Sequence, residues 1–259
     1  MTRIEALSWK QFAHEAPRSR LALVPNGAVE PNGRHMAQGL DNYVSVALAD
    51  AVAARTGGFV TPLIPVGYSA RLDGFAGTLT VEQEVFEAYA EGIARSLIAT
   101  GLDHVLFICG HGGNAPAIER IAHRLERDHE ACRIAYVDLW KFLQPLSEDL
   151  AEGTEHRFGH AGEMPTSLML HLRPELVDMA ETGLELPDIE PDPFGTYRPR
   201  PFRRRMPTGA LGDTSLATAE KGHELFERMA DRLAAFALEL DDPRGAPTEM
   251  DTNTTRNPE

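Results

Sequence analysis

Three stretches of the chain gather side chains that can hold a cation or move a proton. The first reads VPNGAVEPNGRHMAQGLDN and carries Glu30, Asn32, His35 and Asp41. Carboxylate oxygens with an imidazole nitrogen suit zinc, manganese or iron. The second reads CGHGGNAPAIERIAHRLE, with His111 flanked by Gly110, Gly112 and Gly113. Glycines at such a point let the backbone turn sharply and approach a ligand closely. Asn114 follows, at the start of a helical pattern whose free N–H groups can hold an anion or an oxyanion. The third reads HRFGHAGEMPTSLMLHLRPELV and offers His156, His160 and Glu163. A histidine on a glycine-flanked turn can take and deliver protons near neutral pH.

Each of these residues also has a plainer reading. Asp41 can cap a helix, and His35 can satisfy a buried backbone group. His111 can be a passenger on a tight turn. Glu163 stands in a first helical turn, where the helix dipole favours a carboxylate for structural reasons alone. His171 falls on the body of that helix. Convergence decides between the readings, and it depends on the elements around them.

Those elements alternate apolar runs with helical patterns, the signature of a parallel sheet covered by helices. Strands are predicted at 21–25, 59–65, 104–109 and 133–139, the run HVLFIC at 104–109 being the clearest. Helices are predicted at 41–55, ending before Gly57 and Gly58, and at 114–129, 162–172 and 218–240. A further helix is predicted from Thr80 to about residue 100, with Thr80 and Gln83 as a capping box and Gly101 as its stop. The expected fold is α/β, a three-layer sandwich with a mostly parallel sheet flanked by helices. In such a sheet the loops at the carboxyl ends of the strands line the ligand crevice. The Glu30–Asp41 loop and the His111 turn would then share one rim.

Size and charge bound the rest. The chain has 259 residues, 42% of them hydrophobic, enough for one large domain over 1–240. The polar, proline-containing tail 241–259 is expected to be disordered. No apolar run is long enough for a membrane span, and the first twenty residues lack the apolar core of a signal peptide. A cytoplasmic protein is therefore expected. A net charge of −14 argues against nucleic acid and anionic membranes as partners. Cys109 and Cys132 are expected to be buried thiols. The segment 191–207, PDPFGTYRPRPFRRRMP, sets Arg198, Arg200, Arg203, Arg204 and Arg205 in an acidic protein. It could seat a carboxylate or phosphate of a substrate, or meet the acidic surface of a neighbouring subunit.

In order along the chain, GAVEPNGRH followed by Asp41, GFAGT at 74–78, CGHGGN, HAGEMPTS and GALGDTSLATAEKG resemble the motifs of the creatininase family. The resemblance runs from about residue 20 to about residue 235. It implies a metal-dependent hydrolase that cleaves a C–N bond of a cyclic or linear amide, working on a small-molecule substrate and assembled as a homohexamer. It places a divalent ion on Glu30, Asp41 and His111, with Asp41 bridging to a second ion. In such a mechanism His160 would protonate the departing nitrogen, with Glu163 or His35 as proton shuttles. Asn32, Gly112, Gly113 and Asn114 would contact substrate, the backbone N–H groups at 112–114 holding the oxyanion.

This chain departs from the family pattern at informative positions. The histidine two residues after the metal-binding glutamate is Asn32, and the glutamate of the E-T-S motif is Pro165. The histidine expected shortly before the GFAGT motif is missing, with Arg71 and Leu72 nearby. A neutral amide oxygen is a weak ligand for zinc-like ions. One ion per chain, with the second position weakened or absent, is therefore expected, and creatinine itself becomes a poor candidate substrate. Two other readings stay open at this point. One is a metal-dependent enzyme acting on a sugar, lactone or hydroxy acid. The other is a scaffold that has lost the chemistry.

Overall fold

The computed structural model describes residues 3–187, 193, 196, 198 and 201–241. Strand β1 (Leu21–Asn26) is buried along its whole length. It pairs in parallel with β3 (His104–Cys109) over six positions, from Leu21 opposite His104 to Asn26 opposite Cys109. Strand β2 (Phe59–Val60) flanks β1, and β4 (Arg133–Asp138) flanks β3, both in parallel. The sheet order is β2-β1-β3-β4. Period-two alternation divides the strand side chains between two cores. Leu21, Leu23, Leu106 and Ile108 face one side, against helices α2 (Leu40–Thr56), α6 (Glu163–Leu172) and α8 (Ala219–Asp241). Ala22, Val24, Val105 and Phe107 face the other, against α3 (Gln83–Ala99) and α4 (Ala115–Asp128). The sheet is thus covered on both faces, which is why its central strands read as unbroken apolar runs. The expected α/β sandwich is the observed fold.

The topology fixes where a ligand can sit. The chain leaves β1 through α2 to reach β2, and leaves β3 through α4 to reach β4 on the opposite side. A crevice opens outside the carboxyl ends of neighbouring strands whose connections diverge in this way. The Glu30 loop and the His111 turn leave from those two ends.

Several elements differ from expectation. Only Phe59 and Val60 of the predicted strand 59–65 pair as a strand, because prolines 62 and 65 interrupt it; Ile64 returns as a single bridge to Asn26. Thr80 does not cap α3. The helix begins at Gln83, and the Thr80 hydroxyl instead accepts the Ser69 N–H at 2.9 Å. A tertiary contact has taken the group that local spacing assigned to a cap. Helix α1 (Trp9–Glu15), with a capping box between Ser8 and Gln11, falls in the stretch that carried no predicted element. The short helices α5 (Leu139–Phe142) and α7 (Phe202–Arg205), and the two-stranded sheet β5 (Leu184–Glu185) with β6 (Gly212–Asp213), are likewise additions.

Helices α6 and α8 cross backbone to backbone. A Cβ on Gly222 would strike the Ser167 carbonyl, so only glycine fits. The Ser167 hydroxyl donates to the Glu163 carbonyl at 2.8 Å and accepts the Thr218 N–H at 3.1 Å. Thr218 in turn caps α8 through the Lys221 N–H at 3.2 Å. Cys109 and Cys132 are both free and buried, and burial pushes the Cys109 thiol up to about 12. Among the described residues no helix is long and apolar enough to cross a membrane. Asp241 closes α8, its Oδ1 2.9 Å from His104 Nδ1. The rest of the expected tail, 242–259, lies outside the described residues.

Candidate metal centre

Glu30, Asp41 and His111 meet. One potential ligand atom from each lies within 4.8 Å of the others, and all three side chains are buried. Their positions follow from the strand ends. His111 follows Gly110 at the tip of β3, where Gly110 N–H still donates to Asn26 of β1 at 2.8 Å. A Cβ at Gly110 would strike the Asp41 carbonyl, so the glycine permits the first turn of α2 to press against the β3 tip. The Glu30 loop is braced by the GFAGT loop, through Leu79 N–H to the Val29 carbonyl at 2.9 Å.

The imidazole of His111 has its orientation fixed. Nε2 donates to the Tyr68 carbonyl at 2.9 Å, which turns Nδ1 toward the carboxylates. Nδ1 lies 3.0 Å from Glu30 Oε2 and 3.3 Å from Asp41 Oδ2. The Ser69 hydroxyl donates to Glu30 Oε2 at 2.8 Å. A Cβ on Gly113 would strike His111 Nε2, so that glycine keeps the ring in place.

The electrostatics show a site short of positive charge. Burial and the neighbouring Glu30 charge push the Asp41 carboxyl up to about 7. Burial opposes charge on Glu30 too, but its contacts with His111 hold its carboxyl below the usual value. Burial likewise works against a charged His111, and the neighbouring Asp41 and Glu30 carboxylates override it, raising the imidazole well above its ordinary range. Asp41 Oδ2 is buried with no hydrogen-bond donor. Two dry carboxylates and one imidazole, with an orphaned oxygen between them, fit a divalent cation in both charge and donor type.

Two cavities touch this group. An open one of about 620 Å³ exposes Glu30 and His111, together with Tyr68, Arg71, Trp140 and Phe202. A smaller one of about 200 Å³ is lined by Asn32, Asp41, Trp140, Phe158, His160 and Pro165. Trp140 and His160 line both. His160 Nε2 donates to the Pro31 carbonyl at 2.8 Å, leaving Nδ1 as its other proton site. The turn that presents it is strained, with Ala161 at φ 50°. Gly112 and Gly113 line the open cavity, and their N–H groups have no acceptor among the described residues.

The chain belongs to the creatininase family. Residues 5–237 match the family model, described as creatinine amidohydrolase. A mycofactocin precursor peptide peptidase from Mycobacterium ulcerans is 30% identical over 220 residues, covering 81% of each chain. Creatinine amidohydrolase from Pseudomonas putida is 27% identical over 236 residues, covering 85% of this chain and 90% of its own. A solved structure described as manganese creatininase superposes with a TM-score of 0.81 at 25% identity, covering 93% of this chain and 99% of its own.

Within this creatininase-family fold, three expected site residues stand elsewhere. Glu163 lines neither cavity. Its carboxylate accepts from Lys221 Nζ at 2.7 Å and from the Gly153 N–H at 2.8 Å, so it anchors α8 and a loop to α6. His35 is buried with Nε2 2.9 Å from the Thr166 hydroxyl, and burial pushes its imidazole down to about 4. That hydroxyl already donates to the Ala161 carbonyl, so His35 is the donor in this pair. Asn114 ties the sheet tips together, donating to Asn26 Oδ1 and the Gly27 carbonyl, both at 3.0 Å. Its own N–H is spent on the His111 carbonyl at 3.1 Å, which takes it out of the expected oxyanion group.

Asn32 does face the smaller cavity. Its amide nitrogen donates to the Glu30 carbonyl at 3.1 Å, and its buried Oδ1 has no partner. Pro165 lines the same cavity. The two departures from the family pattern therefore meet beside Asp41. In the arginine segment, Arg203 donates to the Gly74 carbonyl at 2.6 Å and lies over Phe75, holding the GFAGT loop. Residue 200 and most of 191–200 lie outside the described residues.

Sequence reasoning did not single out Ser69, Tyr68, Trp140 or Phe202. Trp140 follows the carboxyl end of β4, and the strand-end rule that located His111 points there as well.

Proposed function

We propose that this chain is a metal-dependent hydrolase that cleaves a C–N bond of an amide, with one divalent ion held by Glu30, Asp41 and His111. The reading rests on the convergence of those three side chains at the rim of a family hydrolase fold. A divalent cation at such a site supplies a Lewis acid and brings the pKa of a bound water from 15.7 toward about 7. The protein supplies the rest. Tyr68 and Ser69 orient the ligands. Gly112 and Gly113 offer unpaired N–H groups to the developing oxyanion, a contribution typically of about 3–4 kcal/mol to the barrier. With Nε2–H held by the Pro31 carbonyl, His160 Nδ1 would take the proton released by the attacking water and pass it to the departing nitrogen. The free Oδ1 of Asn32 accepts an N–H of the substrate. Zinc, manganese and iron all suit the donors. The homohexameric assembly implied by the resemblance and the cytoplasmic location expected from the sequence belong to the same proposal, and size-exclusion chromatography with light scattering tests the assembly.

The experiment is a substrate panel on the purified chain loaded with each metal. Lactams, cyclic ureas, formamides and short peptides stand against lactones and keto sugars. Metal-dependent amide hydrolysis is the expected result, with His160→Ala lowering kcat about 10²–10⁴-fold. Turnover of lactones or sugars without amides would overturn the reaction class.

A further inference from the structure

The open cavity carries a charge pattern opposite to that of the protein. The chain as a whole has a net charge of −14. The lining of the cavity holds one carboxylate, Glu30, already committed to Ser69 and His111, and two guanidinium groups, Arg71 and Arg120. Arg120 is clamped by Glu87, with Nε 2.9 Å from Oε2. Arg71 is exposed and has no hydrogen-bond or ion-pair partner among the described residues. Its backbone is nonetheless firmly placed. It sits in a short 3-10 turn, Ala70–Leu72, between the buried Leu72 and Ser69, and Leu72 N–H donates to the Ser69 carbonyl at 2.9 Å. Ser69 is the residue whose hydroxyl holds Glu30. A free guanidinium therefore stands two residues from a side chain that contacts the triad. Tyr68, Leu72, Trp140 and Phe202 give the same cavity apolar and aromatic walls.

Given the reading of this cavity as the substrate site, we infer that Arg71 receives an anionic group, a carboxylate or a phosphate, on a substrate whose remainder is apolar or aromatic. The overall negative field disfavours anions at long range, so their capture needs a local cation. Arginine matches either anion with two parallel N–H bonds. The volume of about 620 Å³ leaves room for that group beside the scissile bond.

The test uses binding, so it is separable from turnover. The chain has two tryptophans, and in a Trp9→Phe background the cavity-lining Trp140 is the single indole reporter. Phenyl phosphate, benzoate and benzamide are titrated into the full-length, metal-loaded protein at low salt. The expected result is that at least one of the two anions binds about tenfold more tightly than neutral benzamide, the order of one charge-assisted hydrogen bond. The stronger of the two names the group. Arg71→Ala should erase the preference, and Arg71→Lys should keep part of it. Because residue 71 is exposed and unpartnered, neither substitution threatens the fold. Equal affinity for all three probes, or a preference that survives Arg71→Ala, overturns the inference. Arg71-dependent binding in a protein that hydrolyses no amide would count against the hydrolase reading alone. Hydrolysis with no anion preference would count against this inference alone.

Discussion

Lys221 Nζ lies 2.7 Å from Glu163 Oε1, in a position where the carboxylate is almost wholly dry and the ammonium nearly so. A second oxygen, of Glu152, stands 2.7 Å from the same nitrogen. This contact joins the start of α8 to the start of α6. Lys221→Met removes the cation and leaves a buried carboxylate with only backbone donors. Breaking a buried pair from one side typically costs about 3–5 kcal/mol. Urea denaturation should show a loss of that order, and the double variant Glu163→Gln/Lys221→Met should recover part of it. A Lys221→Met protein as stable as the parent would show that the pair does not hold the helices.

His111 reaches both carboxylates through Nδ1, so its removal should strip the ion. His111→Ala should lose stoichiometric metal, as measured by elemental analysis after dialysis. The fold should persist, because the ring lies at a strand tip rather than within either core. Far-ultraviolet circular dichroism should be unchanged. Metal retained at one ion per chain in this variant would refute the ligand assignment.

His35 predicts a pH effect of defined sign. Its folded imidazole titrates at about 4 against an ordinary 6.5, because burial disfavours the charged form. Between those values the unfolded chain takes a proton that the folded chain refuses. The stabilisation from neutral His35 is therefore present in full above pH 6.5 and is lost as pH falls toward 4. The difference is about 3 kcal/mol across that window. His35→Gln should flatten the stability profile between pH 6.5 and 4 in metal-free protein. Parallel profiles for variant and parent would exclude this role.

Much of this was legible in the sequence, and the reasons differ by residue. The buried strands announced themselves as apolar runs, and the glycines around His111 marked a strand-end turn. Asp41 and Glu30 were separable from ordinary caps only because two loops from neighbouring strands offered ligands on one rim. Glu163 and His35 show the limit. Both residue types suit proton transfer, and both lie in motif segments, yet their partners, Lys221 and Thr166, are remote in the chain. The ATAEKG stretch likewise serves helix packing, since Lys221 holds Glu163 and Gly222 clears the Ser167 carbonyl. Thr80 had the spacing of a cap and was taken by Ser69. No local pattern reports such long-range claims on a side chain.

Asn32 and Pro165 are far apart in sequence; the first stands where the family motif has a histidine and the second where it has a glutamate. They line one cavity of about 200 Å³ together with Asp41. That shared position makes the proposed single ion a testable consequence of these two departures. Asn32→His returns an imidazole in place of an amide with an unpartnered Oδ1. Pro165→Glu returns a carboxylate in the first turn of α6, where the helix dipole favours an acid and proline is not required. A divalent ion needs about three protein ligands to be held firmly. Either substitution alone adds one new donor to Asp41, and should leave the metal content at one per chain. The double variant offers three with Asp41 and should approach two, by elemental analysis and by calorimetric titration of the metal-free protein. A double variant that still binds one ion would place the cause outside these residues, in the geometry of the cavity itself.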